Sequence, residues 1–292
     1  MLNLLYMISV LVATKNRRPY LEQLLDKISD QILLPLEVII IDASDKFIKL
    51  LDLNYPFRVL HIESSISSTT IQRNIGLDLV DIKSKYVAIL DDDTYPDKNY
   101  LSEVIKNLIY TDAVGVSGIA FPKNPRIQSS FFVRTFKYVF LLDHWDKGSV
   151  TKGGINVPIL KSNNELIKTN WLIGCSVYNI KKIPKLRFDS SLYGYALFDD
   201  VIFSLQASLQ GDLYVDTRIV LSHIELSKVD YQDADFWYKW THNRKKVIEL
   251  LSGNRSKWVG YYWCNFGQML IILFKYKAGK FRVIRQMISG MS

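Results

Sequence analysis

Residues 86–96 read YVAILDDDTYP, an apolar run that stops on three consecutive aspartates, Asp91, Asp92 and Asp93. A short apolar run that ends abruptly in polar residues is typical of a buried β-strand, here Tyr86–Leu90. Three adjacent carboxylates repel one another, and a bound cation would relieve that repulsion. The stretch therefore predicts a strand with an acidic site at its carboxyl end.

The sequence on either side of this stretch alternates between strand-length apolar runs and apolar residues at helical spacing. Such alternation predicts right-handed crossovers and a largely parallel sheet that helices cover on both faces. We therefore expect an α/β fold, a Rossmann-type mixed, mostly parallel sheet flanked by helices, with a C-terminal helical appendage. The predicted strands are a first one through Ile8, Val10 and Val12, then Leu36–Ile41, Phe57–Ile62, Tyr86–Leu90, Ala113–Phe121 and Tyr214–Leu221, and the predicted helices are Leu21–Ile28, Ile71–Leu79 and one with Val201, Leu205 and Leu209 on one face.

The length and the composition of the chain limit the classes of protein to which it can belong. A chain of 292 residues with 48% hydrophobic and 23% charged residues forms an ordinary globular core, which excludes a disordered or collagen-like chain. The two cysteines, Cys175 and Cys264, make neither a disulfide framework nor a four-ligand zinc site, so we expect a reduced, cytosolic setting. The apolar start, Met1–Val12, runs into charged residues rather than a cleavage site, so we expect no signal peptide.

The basic charge is concentrated at the C-terminal end. The net charge is +8, but residues 255–292 hold seven Lys or Arg and no Asp or Glu, which leaves residues 1–254 at about +1. This distribution argues against a nucleic-acid partner. We expect a catalytic-sized domain over residues 1–225 and basic, aromatic helices over residues 226–292.

These C-terminal helices contain four of the six tryptophans. Their longest apolar stretch, Trp258–Phe274, is shorter than the roughly 20 apolar residues of a membrane-spanning helix. Aromatic residues next to basic ones are typical of a helix that lies in the headgroup region of an anionic membrane surface, here the cytosolic face. The alternative is a helix that packs on the catalytic domain or in an oligomer interface.

Polar residues follow three of the predicted strands, at Thr14–Arg17, Asp42–Ser44 and Asp91–Asp93. Ligands of open parallel sheets bind beyond the carboxyl ends of the strands, so we expect these groups to converge. If the chain stays extended, the first and third aspartates of the triad point to one side and hold Mn²⁺ or Mg²⁺, while the second faces away. The alternative is a solvated acidic turn that caps the next helix.

Other motifs narrow the choice of chemistry. The sequence contains no Gly-x-x-x-x-Gly-Lys-Ser/Thr, and no Gly-x-Gly-x-x-Gly follows the first strand. The triad is similar to the Asp-x-Asp-x-Thr of haloacid-dehalogenase-type phosphatases, but Tyr95 stands where that motif needs threonine.

Residues 122–165 are irregular and rich in Pro, Gly and aromatic residues, which predicts a lid or acceptor-binding loop.

In their order and spacing, six stretches resemble glycosyltransferase family 2, inverting nucleotide-sugar transferases with the fold called GT-A. The resemblance spans about residues 7–225 and implies a GT-A-like sheet with its site at the strand ends. The six stretches are Ser9–Arg17 (SVLVATKNR), Ile39–Ser44 (IIIDAS), Arg73–Leu77 (RNIGL), Asp91–Asp93, Trp171–Ser176 (WLIGCS) and Gly194–Val201 (GYALFDDV).

The resemblance also implies roles for particular residues. Asp200 is similar to the family's general base, which takes the proton of the acceptor hydroxyl as it attacks the sugar. A divalent cation would offset the charge that develops on the leaving diphosphate. The implied metal ligands are Asp91, Asp93 and His223, the implied donor-binding residues are Thr14, Asn16, Arg17, Asp42, Arg73, Asp91 and Asp92, and the implied acceptor residues are Trp171 and Asp199.

The residues themselves leave alternatives open. Asp199 and Asp200 are also compatible with ordinary first-turn caps of a helix, and Trp171 with a core aromatic. Arg73 fits an exposed helix position equally well, and His223 fits a structural role. A helix start would lower the pKa of Asp200, whereas burial and a nearby diphosphate would raise it.

Together these patterns predict a metal-dependent, inverting transferase. It would move a sugar from a nucleoside-diphosphate donor to a hydroxyl of a glycan or a lipid-linked acceptor, at the inner face of the cell membrane. Two other classes stay open from the sequence. One is a metal-dependent phosphohydrolase or nucleotidyltransferase that uses the same triad, and the other is a non-catalytic, membrane-associated binding protein with a transferase fold.

Overall fold

The structure is a computed structural model that describes residues 7–47, 49, 54–122, 130–159, 165–192, 196–224, 233–251, 256–276 and 279–292. In these residues the predicted strands are present, and their boundaries agree with the prediction to within about two residues. The strands are β1 (Ile8–Thr14), β2 (Glu37–Asp42), β3 (Arg58–Glu63), β4 (Tyr86–Asp91), β5 (Thr94–Pro96), β6 (Gly115–Pro122), β7 (Leu166–Thr169), β8 (Ser176–Asn179) and β9 (Leu213–His223), and the helices are α1 (Arg18–Ser29), α2 (Thr69–Asp78), α3 (Tyr100–Thr111), α4 (Phe131–Val139), α5 (Asp199–Ser208), α6 (Ala234–Leu250), α7 (Ser256–Lys275) and α8 (Lys280–Met291).

The strands form one mixed sheet in the order β3-β2-β1-β4-β8-β6-β9-β5, with β7 paired to β9. β1 to β4 are parallel, whereas β5, β7 and β8 pair antiparallel with their neighbours. The predicted fold class is confirmed, although strands and helices do not alternate strictly, since among the described residues β3 follows β2 and β5 follows β4 without a helix between them. The order reverses between β1 and β4, and such a switch point opens a crevice at the carboxyl ends of the strands.

Helices cover both faces of the central strands. Val10 packs in a cluster with Leu21 and Leu24 of α1, and Leu11 packs in a second cluster on the opposite face. Gly76 lets α2 lie close to this second face, because a Cβ at that position would be 1.9 Å from Leu11 Cδ1. A larger residue there would push α2 away from the sheet.

Two local predictions differ from the structure. Residues 122–165, expected to be irregular, contain α4 and an isolated antiparallel bridge between Val150 and Asn156, while 123–129 and 160–164 lie outside the described residues. Leu209, expected on the buried face of α5, is 73% exposed because the helix ends at Ser208.

The C-terminal helices pack on the sheet domain and on one another. Asn243 of α6 donates from its side-chain amide to the Leu197 carbonyl, just before α5, at 3.2 Å. Gly290 of α8 lies against Thr241 of α6, so closely that a Cβ would be 2.1 Å from the threonine hydroxyl oxygen. The predicted boundary between 225 and 226 falls outside the described residues. In the part of the chain that the structure describes, no helix is both long and apolar enough to cross a membrane.

Candidate active site

The parallel strands bring the predicted site residues to one edge of the sheet. Thr14 lies opposite Asp42 in the β1–β2 register, and Ala13 lies opposite Asp91 in the β1–β4 register. The side-chain amide of Gln72 in α2 donates to main-chain carbonyls at the ends of β1 and β2, at 2.9 and 2.8 Å. Gln72, which sequence reasoning missed, therefore fixes α2 to the edge where the three polar groups meet.

The first aspartate of the triad has a different partner from the other two, because the chain turns at Asp92 and Asp93 between β4 and β5. Asp91 accepts a hydrogen bond from Arg73 at 2.6 Å. Asp92 and Asp93 share one guanidinium nitrogen of Arg17, at 2.9 and 3.2 Å. The expectation that the first and third aspartates face one side and the second faces away is therefore wrong, since it assumed an extended chain.

The predicted metal ligands are partly assembled. His223, the last residue of β9, has its Nε2 3.4 Å from a carboxylate oxygen of Asp93, whereas Asp91 bonds to Arg73 instead. Among the described residues, no three His, Cys, Asp or Glu side chains form a ready metal site. Asp93 and His223 fit a divalent cation that takes its other ligands from water and phosphate oxygens, as Mg²⁺ commonly does. The metal itself stays a prediction.

The predicted donor-binding residues Thr14, Asn16 and Arg17 lie at the carboxyl end of β1. Thr14 Oγ1 donates to the second aspartate of the triad at 2.6 Å. Asn16 has a φ of 57°, a left-handed conformation that asparagine tolerates better than most residues. Its backbone N–H donates to Ser44 at 2.7 Å and its side-chain amide to Asp45 at 2.8 Å, so the loops after β1 and β2 form one unit.

Asp42, the predicted contact for the base or ribose, bonds to two polar residues. Its Oδ1 accepts from the Ser44 backbone N–H at 2.8 Å, and its Oδ2 lies 3.1 Å from His61 Nε2. Burial lowers the pKa of His61, although the Asp42 carboxylate opposes that shift. Sequence reasoning missed His61; its position two residues before the end of a parallel strand was the available signal.

Arg73 joins the triad to Asp199, the neighbour of the predicted general base. It is 4% exposed, and it donates from one nitrogen to Asp91 and from another to Asp199, both at 2.6 Å. Burial alone would lower the pKa of Arg73, but the two carboxylates raise it above its usual value, so the guanidinium stays charged. The exposed-helix alternative for Arg73 is therefore wrong. The missed residue Cys175 is also buried here, with its Sγ 3.7 Å from an Asp91 oxygen.

The first turn of α5 presents Asp199 and Asp200. Asp199 accepts a hydrogen bond from the Asp200 backbone N–H, and Asp200 Oδ1 accepts one from the Val201 N–H, both at 2.8 Å. Burial and the neighbouring Asp199 carboxylate raise the pKa of Asp200 to about 7, so they outweigh the helix start. Asp200 Oδ2 accepts no hydrogen bond from a described residue, and an oxygen with a pKa near neutrality is suited to take a proton.

This shift makes stability depend on pH. Between about pH 4 and about 7 the folded protein keeps a proton on Asp200 that the unfolded chain, with a pKa near 3.8, has released. The contribution of Asp200 to the free energy of unfolding therefore falls as pH rises through that window. We expect Asp200→Asn to match the wild type in stability near pH 4 and to exceed it near pH 8, measured by urea unfolding. A difference that does not change with pH would contradict the raised pKa.

Trp171, predicted to line the acceptor site, is 6% exposed and packs in a cluster with Leu192, Val201 and Val247. The ring of Trp171 is therefore part of the hydrophobic core, which is the alternative that the sequence left open. Its indole N–H is buried and has no hydrogen-bond partner among the described residues. The acceptor roles of Trp171 and Asp199 stay predictions.

The fold and the site together define the class of protein. It has a GT-A-type sheet, and acidic residues lie at the carboxyl ends of the parallel strands, beside the switch point. Residues 9–158 match the model of the family described as Glycosyl transferase family 2. Because this match covers half of the chain, the chain belongs to that family, as its motifs indicated. A comparison with curated proteins gave no match.

Among solved structures, the fold is similar to that of S. aureus TarS. TarS 1–349 in complex with UDP-GlcNAc gives a TM-score of 0.62 at 14% identity, over 98% of this chain and 82% of that one. The same fragment in complex with UDP gives a TM-score of 0.55 at 16% identity, over 94% and 74%. A longer TarS structure gives a TM-score of 0.61 at 14% identity over 98% of this chain, which spans 49% of that chain's length. Identities this low show a shared fold.

Proposed function

We propose that the protein transfers a sugar from a nucleoside-diphosphate sugar to a hydroxyl of a glycan or a lipid-linked acceptor, with inversion at the sugar carbon. Family membership supports glycosyl transfer, and the UDP-GlcNAc and UDP complexes of TarS support a nucleotide-sugar donor. One observation carries the mechanism: Asp200, a half-buried aspartate with a pKa of about 7, lies next to Asp199, which Arg73 joins to the triad.

In this proposal Asp200 Oδ2 takes the proton of the acceptor hydroxyl, whose oxygen attacks the anomeric carbon from the side opposite the diphosphate. Arg73 holds Asp199 and Asp91 in place through a hydrogen bond to each at 2.6 Å. Thr14, Asn16, Arg17 and Asp42 would surround the nucleotide at the ends of β1 and β2.

The acidic residues of the site also favour a cation. Four carboxylates, those of the triad and of Asp199, share the two guanidinium groups of Arg17 and Arg73. A Mn²⁺ or Mg²⁺ ion held by Asp93 and His223 would offset the excess negative charge, and when bound it would stabilise the charge on the leaving diphosphate.

The test is donor binding, measured by calorimetry with UDP-GlcNAc first and then with other nucleotide-sugars. We expect binding to require Mn²⁺ or Mg²⁺ and to weaken at least about tenfold in Asp93→Asn, because that change removes one of two protein ligands. The exposed aspartate Asp235 supplies the matched control, since Asp235→Asn should bind as the wild type does. Metal-independent binding would contradict the cation site, and hydrolysis without transfer to any acceptor would contradict the proposed reaction.

A further inference from the structure

One side of α7 is apolar and largely exposed. No charged residue occurs between Lys257 and Lys275. Along this span Tyr261 and Cys264 are fully buried, but Val259, Tyr262, Trp263, Phe266 and Phe274 are between 43% and 89% exposed. The outward side of a surface helix is normally polar, so this composition indicates a surface that meets something other than water.

α4 extends this surface. The Trp263 indole N–H donates to the Val139 carbonyl at 2.7 Å, and the Trp263 ring stacks on Phe140 with centroids 4.7 Å apart. At the other end of α4, Phe131 and Phe132 are 70% and 83% exposed. The two helices, more than a hundred residues apart in sequence, thus contact one another through aromatic residues, and both expose further aromatic side chains. We define the aromatic patch as Phe131, Phe132, Val139, Tyr262, Trp263 and Phe266.

The charges on the elements that carry the patch have one sign. The sequence contains no Asp or Glu between Asp112 and Asp143 or after Glu249. The described basic residues of α4, α7 and α8 form no ion pair with any described carboxylate. They are Arg134, Lys137, Lys257, Lys275, Lys280, Arg282 and Arg285.

The geometry points to an anionic lipid surface as the partner of the aromatic patch. Exposed aromatic side chains insert at the level of the lipid headgroups, and each neighbouring Lys or Arg adds attraction of about 1 kcal/mol to an anionic leaflet. A second copy fits less well, because a twofold contact through the patch would bring two basic rims together. This inference does not depend on the proposed sugar transfer.

Hydrogen bonds connect the patch to the predicted acceptor side. The carbonyl of Leu141, just after α4, accepts from Thr151 at 2.9 Å, and the Gly148 carbonyl of the same loop accepts from Thr169 at 2.5 Å. Thr169 lies two residues before Trp171. A lipid-docked α4 would therefore hold the acceptor side of the molecule near the membrane, where a lipid-linked acceptor resides.

The test is cosedimentation of the full chain with vesicles of phosphatidylcholine alone or mixed with phosphatidylglycerol. We expect binding to the mixed vesicles only, weakened by added salt because screening reduces surface attraction. Phe132→Ser and Phe266→Ser should each lower the partition coefficient about tenfold, as expected for loss of one inserted ring. Tyr110→Ser, which removes an 85% exposed ring from α3, is the matched control and should bind as the wild type does.

Any of the following outcomes would contradict the inference. No binding to mixed vesicles at low salt, or binding that both phenylalanine variants retain, would show that the patch does not meet lipid. Sedimentation velocity provides a second readout: a dimer that Phe132→Ser or Phe266→Ser dissociates would assign the patch to a second copy. Because both rings are at least half exposed, thermal midpoints like that of the wild type should show that the variants fold.

Discussion

Asp200→Asn should lower the rate of sugar transfer by about a thousandfold while donor binding stays unchanged. Loss of a general base typically costs 10²- to 10⁴-fold, and asparagine cannot take the proton of the acceptor hydroxyl. The amide oxygen can still accept the hydrogen bond from the Val201 N–H, so the first turn of α5 should keep its geometry. The loss should therefore appear in kcat, measured with saturating donor and acceptor.

The same experiment has an internal control in the pH profile. Wild-type transfer should fall below about pH 7, since protonation of Asp200 removes the base. The residual activity of Asp200→Asn should show no such acid limb. Asp212, an exposed aspartate that pairs with Lys168, lies at the opposite end of β9 from His223. The control variant Asp212→Asn should therefore transfer sugar at the wild-type rate. Wild-type turnover by Asp200→Asn would remove this residue from the role of base.

Arg73→Met should be the most destabilising single change at the site. It leaves Asp91 and Asp199 without the buried cation that each contacts at 2.6 Å. Removing one partner from a buried ion pair typically costs about 3–5 kcal/mol, because the remaining charge stays desolvated and unpaired. Urea unfolding at neutral pH measures this loss. Arg187→Met, which breaks an exposed pair with Asp78, is the matched control and should cost about 1 kcal/mol or less.

Arg73→Lys separates the role of charge from the role of geometry. One ammonium group keeps the charge but cannot span two carboxylates as the planar guanidinium does. We expect this variant to fold and to lose transfer activity. In any Arg73→Met that folds, the acid limb of the pH profile should move to higher pH, because Arg73 lowers the pKa of Asp200. Stability equal to that of Arg187→Met, with an unmoved pH profile, would contradict the bridging role.

Local patterns in the sequence were sufficient for much of the fold. The strands β1, β2 and β4 were predictable because each is a short, largely apolar run closed by polar residues, the pattern of a strand buried on both faces. α4 was not predicted, since residues 122–165 were interpreted as one irregular stretch, and the ring that follows α4, that of Phe140, packs on the distant α7. Contacts with a distant helix leave no trace in local periodicity.

The candidate site, too, was predictable from the sequence only in part. The positions of Thr14, Asp42 and Asp91 at one edge follow from the parallel order of the strands, which the sequence predicts. The partners of each carboxylate do not follow. Because of the turn after β4, Asp91 contacts Arg73, whereas the next two aspartates contact Arg17. A run of three identical residues does not predict where the chain turns.

What the sequence by itself determined about this protein is therefore its family, its α/β order and the types of residue gathered at the strand ends, because these depend on neighbouring residues and on spacing. Only the tertiary structure decided the electrostatics of the site. A helix start and burial act on the pKa of Asp200 in opposite directions, and burial prevails because the folded chain encloses the α5 pair beside Arg73. Arg73 and Asp199 are 126 residues apart in the sequence, so only the folded chain brings their charges into contact.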